Sequence, residues 1–229
     1  MRKYIYAISL LTLFFCNKKQ PEKVTDIDSQ GFFWGLTNVN KFENTKRTKL
    51  NDSTYLIKGV RDSVNITGYL TQKNQRIDWW KIDDSQNNKE IAIIEYRLIN
   101  NKEFANQYKI FKNSKLDIYR SKYYAFELCK DNESSSISYS FYIPKNDEII
   151  KTKGKFLYAV HDINKNKEII SSECEFLNSD NLFKCTFSIP NEKNIVVSGI
   201  FWELSEFKNG VMGGSEIYVL DTLEMSPEK

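Results

Sequence analysis

From Phe32 onward, the chain alternates short apolar and aromatic runs with clusters of Asn, Asp, Ser and Lys. Short apolar runs bounded by turn-favouring residues are typical of β-strands. No segment of helical length shows apolar residues at three-and-four spacing, so we expect no helix in this body. The predicted strands cover residues 54–60, 64–71, 77–82, 91–99, 103–111, 116–128, 136–143, 155–162, 169–176, 182–189, 195–204 and 216–223.

The polar segments between these strands are short enough to be hairpin connections. They include residues 72–75, 100–102, 112–115 and 164–167. The polar run at 130–135 marks a candidate boundary between two units. The predicted fold is therefore mainly β, with antiparallel hairpins or a meander over residues 32–129 and a small β-sandwich-like unit over residues 136–225.

The strand at residues 155–162 is apolar on both sides. Successive side chains of a strand point to opposite faces, and every residue of the run FLYAV at 156–160 is apolar. We therefore expect both faces of this strand to be covered.

The cysteines of the second unit predict a disulfide. Within residues 173–187 (ECEFLNSDNLFKCTF), folding the chain between residues 179 and 180 places Cys174 opposite Cys185. Opposed residues of an antiparallel pair have Cβ atoms about 4.5–5.5 Å apart, close to what a disulfide needs. We predict a cross-strand Cys174–Cys185 bridge; the alternative is two reduced cysteines in a hairpin. Cys129 is left over and is interpreted as a small buried apolar residue.

The N-terminus has the features of an export signal. Arg2 and Lys3 precede an apolar run over residues 4–15, which is too short to span a bilayer. We predict a signal peptide over residues 1–15; the alternative is a buried N-terminal helix. Leu13-Phe14-Phe15-Cys16 resembles a bacterial lipoprotein signal. In that family the chain is cut before the cysteine and its thiol is diacylated, so the resemblance implies a lipid anchor at Cys16. The alternative is an ordinary secreted cysteine.

The segment after Cys16 is poor in bulky apolar residues and is predicted to be a flexible, lipidated tether over residues 16–31. Lipoproteins displayed on the outer surface of Bacteroidetes often carry acidic residues directly after the cysteine, whereas this chain has Lys18 and Lys19. The resemblance implies an exported protein held at the outer or inner membrane through its lipid, facing the periplasm.

Part of the first unit resembles the MORN-variant repeats common in Bacteroidetes proteins. The resemblance spans about residues 60–124 and includes Gly68-Tyr69, the run NQRIDWWKI at 74–82, Glu95-Tyr96 and Asn106-Gln107-Tyr108. It implies β-hairpins stacked into an elongated sheet, in a family associated with interaction and scaffolding.

The sequence predicts no catalytic residues, metal site or cofactor. His161 is the only histidine and precedes Asp162, where it either forms an acid–base pair or packs at a strand end. The spacings typical of zinc sites do not occur. Asp83-Asp84 could hold calcium weakly or lie in a solvated turn. The net charge of +3 is scattered along the chain, so we expect no nucleic-acid partner.

Four aromatic residues are predicted to form a binding face for a sugar or a peptide: Trp79, Trp80, Tyr123 and Tyr124. Because Trp79 and Trp80 are adjacent in a predicted strand, they must point to opposite sides of it. The alternative is that all four residues serve packing.

Three functions follow from these patterns. The leading hypothesis is a lipid-anchored envelope protein that binds or scaffolds a protein or glycan partner. One alternative is a glycan-directed envelope hydrolase, which needs a deep pocket holding two carboxylates. The other is an inhibitor or immunity-type lipoprotein, which needs a contiguous apolar or charged patch on one sheet face or edge.

Overall fold

The computed structural model describes residues 27–130, 135–165, 167–177, 181–190 and 194–224. These residues are mainly β and their sheets are antiparallel, which confirms the predicted fold class. The predicted signal peptide, Cys16 and most of the predicted tether lie outside the described residues.

The first unit is a seven-stranded meander in which each strand pairs with the next along the chain. Its strands are β1 (Glu43–Lys49), β2 (Thr54–Arg61), β3 (Val64–Thr71), β4 (Arg76–Asp84), β5 (Glu90–Ile99), β6 (Lys102–Lys112) and β7 (Lys115–Leu116).

Two-residue turns build three of the hairpins in this meander. They are Asp62-Ser63, Asn100-Asn101 and Asn113-Ser114, and all six residues have positive φ angles between 50° and 64°. A two-residue turn with both central residues at positive φ matches the twist of the strands that it joins. The polar runs at residues 100–102 and 112–115 therefore correctly predicted two of these connections.

A helix covers one face of this sheet, contrary to the expectation that the body has none. It is α1 (Ile27–Leu36), followed by a short 3-10 helix at Val39–Lys41. Phe33 and Leu36 are buried against the sheet. The segment IDSQGFFWGL contains two glycines and lacks a repeating apolar stripe, so tertiary packing and not local propensity stabilises the helix. Its first residues belong to the segment interpreted as a tether.

The core of the first unit centres on Trp80, which is fully buried. Gly68 on the neighbouring strand β3 lies directly against the Trp80 ring, and a Cβ atom there would come within 2.0 Å of the indole. The large indole therefore requires a glycine opposite it.

The second unit is a sandwich of two antiparallel sheets. A three-stranded sheet has the order β12-β9-β8, and a four-stranded sheet has the order β11-β10-β13-β14. The strands are β8 (Tyr123–Lys130), β9 (Ser135–Tyr142), β10 (Ile149–Asp162), β11 (Lys167–Leu177), β12 (Leu182–Ile189), β13 (Ile195–Phe207) and β14 (Met212–Leu223).

The division between the units falls before β8. We predicted one strand over residues 116–128 and a boundary at 130–135. In the structure, β7 ends at Leu116 and β8 begins at Tyr123, so two separate strands cover this segment. There β8 pairs with β9 in the sandwich. The segment 130–135 therefore connects two strands of the same sheet.

Aromatic rings fill the interior of the sandwich. Phe141 from one sheet stacks on Phe201 from the other, with ring centroids 4.4 Å apart, and both are fully buried. The side chains of Phe156 and Phe183 complete the same cluster. These residues alternate with outward-facing ones along each strand, as expected for a two-layer core.

The Cys174–Cys185 disulfide is present, but it joins two sheets instead of two paired strands. The Cα atoms are 6.0 Å apart, while β11 pairs with β10 and β12 pairs with β9. The predicted opposition of Cys174 and Cys185 therefore holds in space. The hydrogen-bonded register inferred from it was wrong, because the two strands are edge strands of facing sheets.

Cys129 is a free cysteine on the surface. Its interpretation as a buried apolar residue was wrong, because it lies near the end of β8, where the side chains from Ala125 to Glu127 are also exposed.

Candidate binding groove

The four residues of the predicted aromatic face do not form one surface. Trp80 lies in the core and Trp79 lies half-buried on the opposite face of β4, which confirms their opposite orientation. Tyr123 is buried and stacks on Tyr142, with centroids 4.5 Å apart. Tyr124 is half-buried and points into the sandwich edge, where its hydroxyl donates to Asp221.

Two of the four do meet around a lysine. The Lys109 ammonium lies 5.8 Å from the Trp79 ring centroid and 5.2 Å from that of Tyr123. Both distances lie within the range of cation–π attraction. The structure therefore joins Trp79 and Tyr123 through Lys109, and it separates them from Trp80 and Tyr124.

The junction of the two units is a polar seam built by β6. Asn106 presents its amide to the edge strand β14: Oδ1 accepts from the Tyr218 backbone N–H at 2.7 Å, and Nδ2 donates to the Tyr218 carbonyl at 2.9 Å. Next to it, Gln107 Oε1 accepts from the Tyr124 N–H of β8 at 3.2 Å. The two amides thus occupy positions where a further strand would bond, one on each sheet of the sandwich.

Glu95 fixes the orientation of both amides. Its Oε2 accepts from Asn106 Nδ2 and from Gln107 Nε2, each at 2.7 Å, and its Oε1 accepts from Arg97 Nε at 2.7 Å. A carboxylate is an acceptor only, so it obliges each amide to direct its nitrogen to Glu95, which leaves each amide oxygen to accept from a backbone N–H of the sandwich.

Lys122 adds a second contact across the seam. This buried side chain donates from Nζ to the carbonyls of Ala105 and Glu216, each at 3.2 Å. Its ammonium also lies 5.2 Å from the Phe104 ring centroid. Lys122 therefore ties β6 and β14 together.

Asp221 closes the same edge from inside the sandwich. Its oxygens accept from the hydroxyls of Tyr124 at 3.0 Å and Tyr139 at 2.9 Å. Burial raises the pKa of Asp221 above its usual value, although the two hydroxyls partly offset this. Burial and the facing carboxylate also raise the pKa of both tyrosines. This group therefore links strands of both sheets without a covalent bond.

A groove of about 800 Å³ lies on the outer face of the four-stranded sheet. Its floor includes Leu157, Ala159, Ile200 and Leu220, and one wall is the end of β5 at Arg97–Ile99. The strand register places Leu157 beside Ile200, and Ala159 beside Ser198. The floor is therefore a mainly apolar surface across β10, β13 and β14, interrupted by Ser198.

Exposed apolar side chains also lie on the same face of the β13–β14 hairpin, among charged residues such as Glu216 and Glu206. Leu220 is 60% exposed, and Trp202, Leu204 and Met212 are exposed as well. Of these four residues, Leu220 also lines the groove and so extends its apolar floor.

The charged groups beside the floor are paired. Lys155 Nζ lies 2.8 Å from Glu173 and 3.2 Å from Glu175, and these carboxylates raise the pKa of the lysine, the hydrogen bond to Glu173 first. On the opposite wall, Arg97 is bound to Glu95. Among the described residues that line the groove, Glu173 is the one carboxylate. The site is therefore suited to binding an apolar surface and not to carboxylate-pair chemistry.

A second cavity, of about 390 Å³, opens at the end of the sandwich. Asp147 from the loop before β10 and Glu203 of β13 both line it. Glu203 is buried and accepts the hydroxyl of Ser205, which in turn lies 3.0 Å from the hydroxyl of Thr152. This cavity brings together two carboxylates that are far apart in sequence.

The remaining polar residues singled out in the sequence lie at strand ends and in turns. His161 lies next to the end of β10, and the buried Asp162 accepts the N–H groups of Asn164 and Lys165 in the following turn. Asp83 and Asp84 end β4; Asp83 lies 3.0 Å from Lys81, and Asp84 accepts N–H groups from its own turn. The described residues contain no group of three side chains suited to a metal ion.

Searches for related proteins found no match to a family model, a curated protein or a solved structure. None of the helices in the described part of the chain has both the length and the apolar character needed to cross a bilayer.

Sequence reasoning missed the groove as a site, although one signal for it was present. The apolar residues on both faces of β10 predicted two covered faces. The inner face is buried in the sandwich, while Leu157 and Ala159 on the outer face form the floor of the groove. The seam residues Asn106 and Gln107 carried no comparable signal, because their type is equally common on a solvated strand.

Proposed function

We propose that this chain is an exported lipoprotein, anchored through Cys16, that binds another protein through the groove on the four-stranded sheet. The export signal and the lipid rest on the sequence of the first sixteen residues, Met1 to Cys16. Binding rests on one structural observation, which is the uncovered apolar face of β10, β13 and β14.

The shape and charge of this face favour a protein segment as the ligand. The floor spans three neighbouring strands and is open to solvent, so it offers little enclosure to a small molecule. The charges at its rim are already paired, which favours an uncharged apolar partner surface. Burying such a surface releases about 25 cal/mol for each Å² of apolar area removed from water.

The anchor is tested by replacing the modified cysteine. We expect wild-type protein in the membrane fraction of the native host and Cys16→Ser protein in the soluble fraction, since two acyl chains hold a protein on a bilayer stably. Metabolic labelling with a palmitate analogue should mark the wild type alone. Equal fractionation of both proteins without label in either would refute the anchor.

The groove is tested with a photo-crosslinking residue placed at Leu220. Ile163, which is also exposed but lies after β10 and outside the groove, provides the matched control position. We expect a defined cross-linked product from position 220 and none from position 163. The product should disappear when Leu157→Glu puts a charge on the groove floor, with the circular dichroism spectrum unchanged.

Three results would overturn binding of another protein at the groove. The first is equal cross-linking at both positions, and the second is a product that persists in Leu157→Glu. The third is a product of twice the mass of the chain, which would identify a second copy as the partner.

The second cavity favours one alternative, a glycan-directed hydrolase. Hydrolysis of a glycosidic bond uses two carboxylates, and Asp147 and Glu203 line the same cavity. The full chain incubated with purified peptidoglycan would then release reducing ends, and Glu203→Gln would abolish the release. Glu206→Gln, three residues along the same strand, is the control. No release by the wild type would rule this alternative out for that substrate.

A further inference from the structure

A third, smaller cavity lies where α1 meets the sheet of the first unit, far in sequence from the groove. It has a volume of about 300 Å³, and its lining combines one indole, Trp34, with three amides. The amides are those of Asn38, Asn40 and Asn74, contributed by the 3-10 helix region and the turn between β3 and β4.

The cavity is electrically balanced. Arg76 is buried, and its Nη2 donates to Glu103 at 2.7 Å, while Glu103 Oε1 accepts the Arg76 backbone N–H at 2.6 Å. The remaining lining residues are uncharged. Because the one cation and the one carboxylate neutralise each other, the site selects neither a phosphate nor an ammonium group.

The indole is held rigidly but is left accessible. The Arg76 guanidinium lies 3.7 Å from the Trp34 ring centroid and 4.6 Å from that of Tyr96, so it contacts both rings. Trp34 nevertheless remains 42% exposed. A ring fixed before a ligand arrives loses little freedom on binding, which favours affinity.

The amides next to this ring have unused hydrogen-bonding capacity. Asn38 Oδ1 accepts from the Asn40 N–H at 3.2 Å, and Asn74 Oδ1 accepts from Arg47 at 2.7 Å. Within the described residues, the Nδ2 groups of Asn38 and Asn74 and the whole amide of Asn40 make no hydrogen bond. Each amide offers donors or acceptors that a hydroxyl can meet.

We propose that this cavity beside Trp34 binds one ring of a neutral glycan. A pyranose ring has an apolar C–H face that can lie on an indole and hydroxyls at its edge that can meet amides. The charge-balanced lining, the accessible Trp34 ring and the three amides match these two properties together. A volume of about 300 Å³ is at the small end of ligand sites and suits a single ring.

The test uses the full chain and follows the indole N–H signals of its four tryptophans by NMR. The signal of Trp34 is assigned from its absence in Trp34→Phe. The probes are methyl β-D-glucoside and N-acetylglucosamine, with sodium phosphate and tetramethylammonium chloride as charged controls. We expect the Trp34 signal to shift saturably with at least one sugar and with neither salt.

Variants that lack the amides test whether these groups contribute to sugar binding. Asn74 has a positive φ of 60°, so Asn74→Gly removes its amide without strain, and Asn40→Ala removes the other exposed amide. Together they should weaken sugar binding by about tenfold, from the loss of roughly 1.4 kcal/mol of hydrogen bonding. The unchanged signals of the three other tryptophans report an intact fold.

Three results would overturn the glycan site: no saturable shift with either sugar, an equal response to phosphate or tetramethylammonium, or unchanged affinity in the double variant. Leu157→Glu in the groove should leave the Trp34 response intact. The glycan site and the protein-binding groove can therefore fail independently.

Discussion

The two edges of the sandwich are closed by different means. At one edge, the Cys174–Cys185 disulfide joins β11 of one sheet to β12 of the other. At the opposite edge, Asp221 links β8, β9 and β14 through two tyrosine hydroxyls, and the amides of Asn106 and Gln107 bond to β14 and β8 from outside. The disulfide edge, which we call the covalent edge, involves no residue of the first unit. The edge at β8 and β14, which we call the polar edge, is completed by side chains of β6.

This difference indicates how the two units depend on each other. The first unit supplies hydrogen-bonding groups that an additional strand would otherwise supply, and Glu95 holds them in position. Buried polar networks of this kind stabilise one arrangement when every member is satisfied and cost stability when one is removed. Mutations at the two edges should therefore have different consequences for the cooperativity of unfolding.

The largest effect is expected from Glu95→Ala. The change leaves two buried amide nitrogens and Arg97 without their shared acceptor, so we expect a loss of about 3 kcal/mol in the free energy of unfolding. Urea denaturation followed by far-ultraviolet circular dichroism measures it, and a broadened or divided transition would show that the units have separated. Glu90→Ala, on the same strand at a surface ion pair, should cost less than about 0.5 kcal/mol. Similar losses in both variants would contradict the role of the seam.

A slightly smaller effect is expected at the covalent edge. The bridge spans a sequence separation of 11 residues, and replacing both cysteines by alanine should cost about 2–3 kcal/mol. The transition should remain single, since the seam is intact. Cys129→Ala is the matched control and should leave the midpoint unchanged. A divided transition in the double variant would show that the covalent edge, and not the seam, couples the units.

The pH dependence of the free energy of unfolding should show the raised pKa of Asp221. Because its pKa is raised in the folded protein, the folded state binds its proton more tightly than the unfolded state does. Its contribution to stability is therefore fully present below the usual value of 3.8 and is lost as pH rises through the raised value. In Asp221→Asn, the free energy of unfolding should therefore fall less as pH rises through the acidic range, as measured by urea denaturation at each pH. The exposed Asp52→Asn is the control, and an identical slope in Asp221→Asn and wild type would contradict the assignment.

The smallest effect is expected at alkaline pH from Tyr123, beside the seam. Burial first, and then Tyr142, raises its pKa from 10.0 to about 12. The neutral hydroxyl thus contributes stability below pH 10 that is lost as pH rises through about 12. Tyr123→Phe should therefore lose less stability over this range than the wild type, as measured by urea denaturation at each pH. The exposed Tyr119→Phe should behave as the wild type, and equal alkaline losses in all three proteins would contradict this.

The meander was predictable because its signals are local. Alternating apolar runs and pairs of Asn, Asp or Ser at the turns specify strands and two-residue hairpins within a few residues of sequence. The same local pattern failed for β1, whose seven residues are all exposed and carry no apolar alternation. It also failed for α1, whose helical state depends on burying Phe33 and Leu36 against a distant sheet.

The seam was not predictable from one sequence because its contacts are distant along the chain. Asn106 and Tyr218 are separated by 112 residues, and nothing near Asn106 distinguishes a seam amide from a solvated one. The disulfide was predictable in part. Its cysteines are close in sequence, so their opposition was predictable, but their assignment to two facing sheets required the pairing of β11 and β12 with other partners.

The exposed strand β1 affects how copies of this protein behave at high local concentration. An outer strand with free backbone groups can recruit the same strand of a neighbouring molecule and begin a fibril. Here that strand carries Lys46, Arg47 and Lys49 within seven residues. Two such strands brought side by side would bring these cations together, so repulsion disfavours self-association at the open side of the meander.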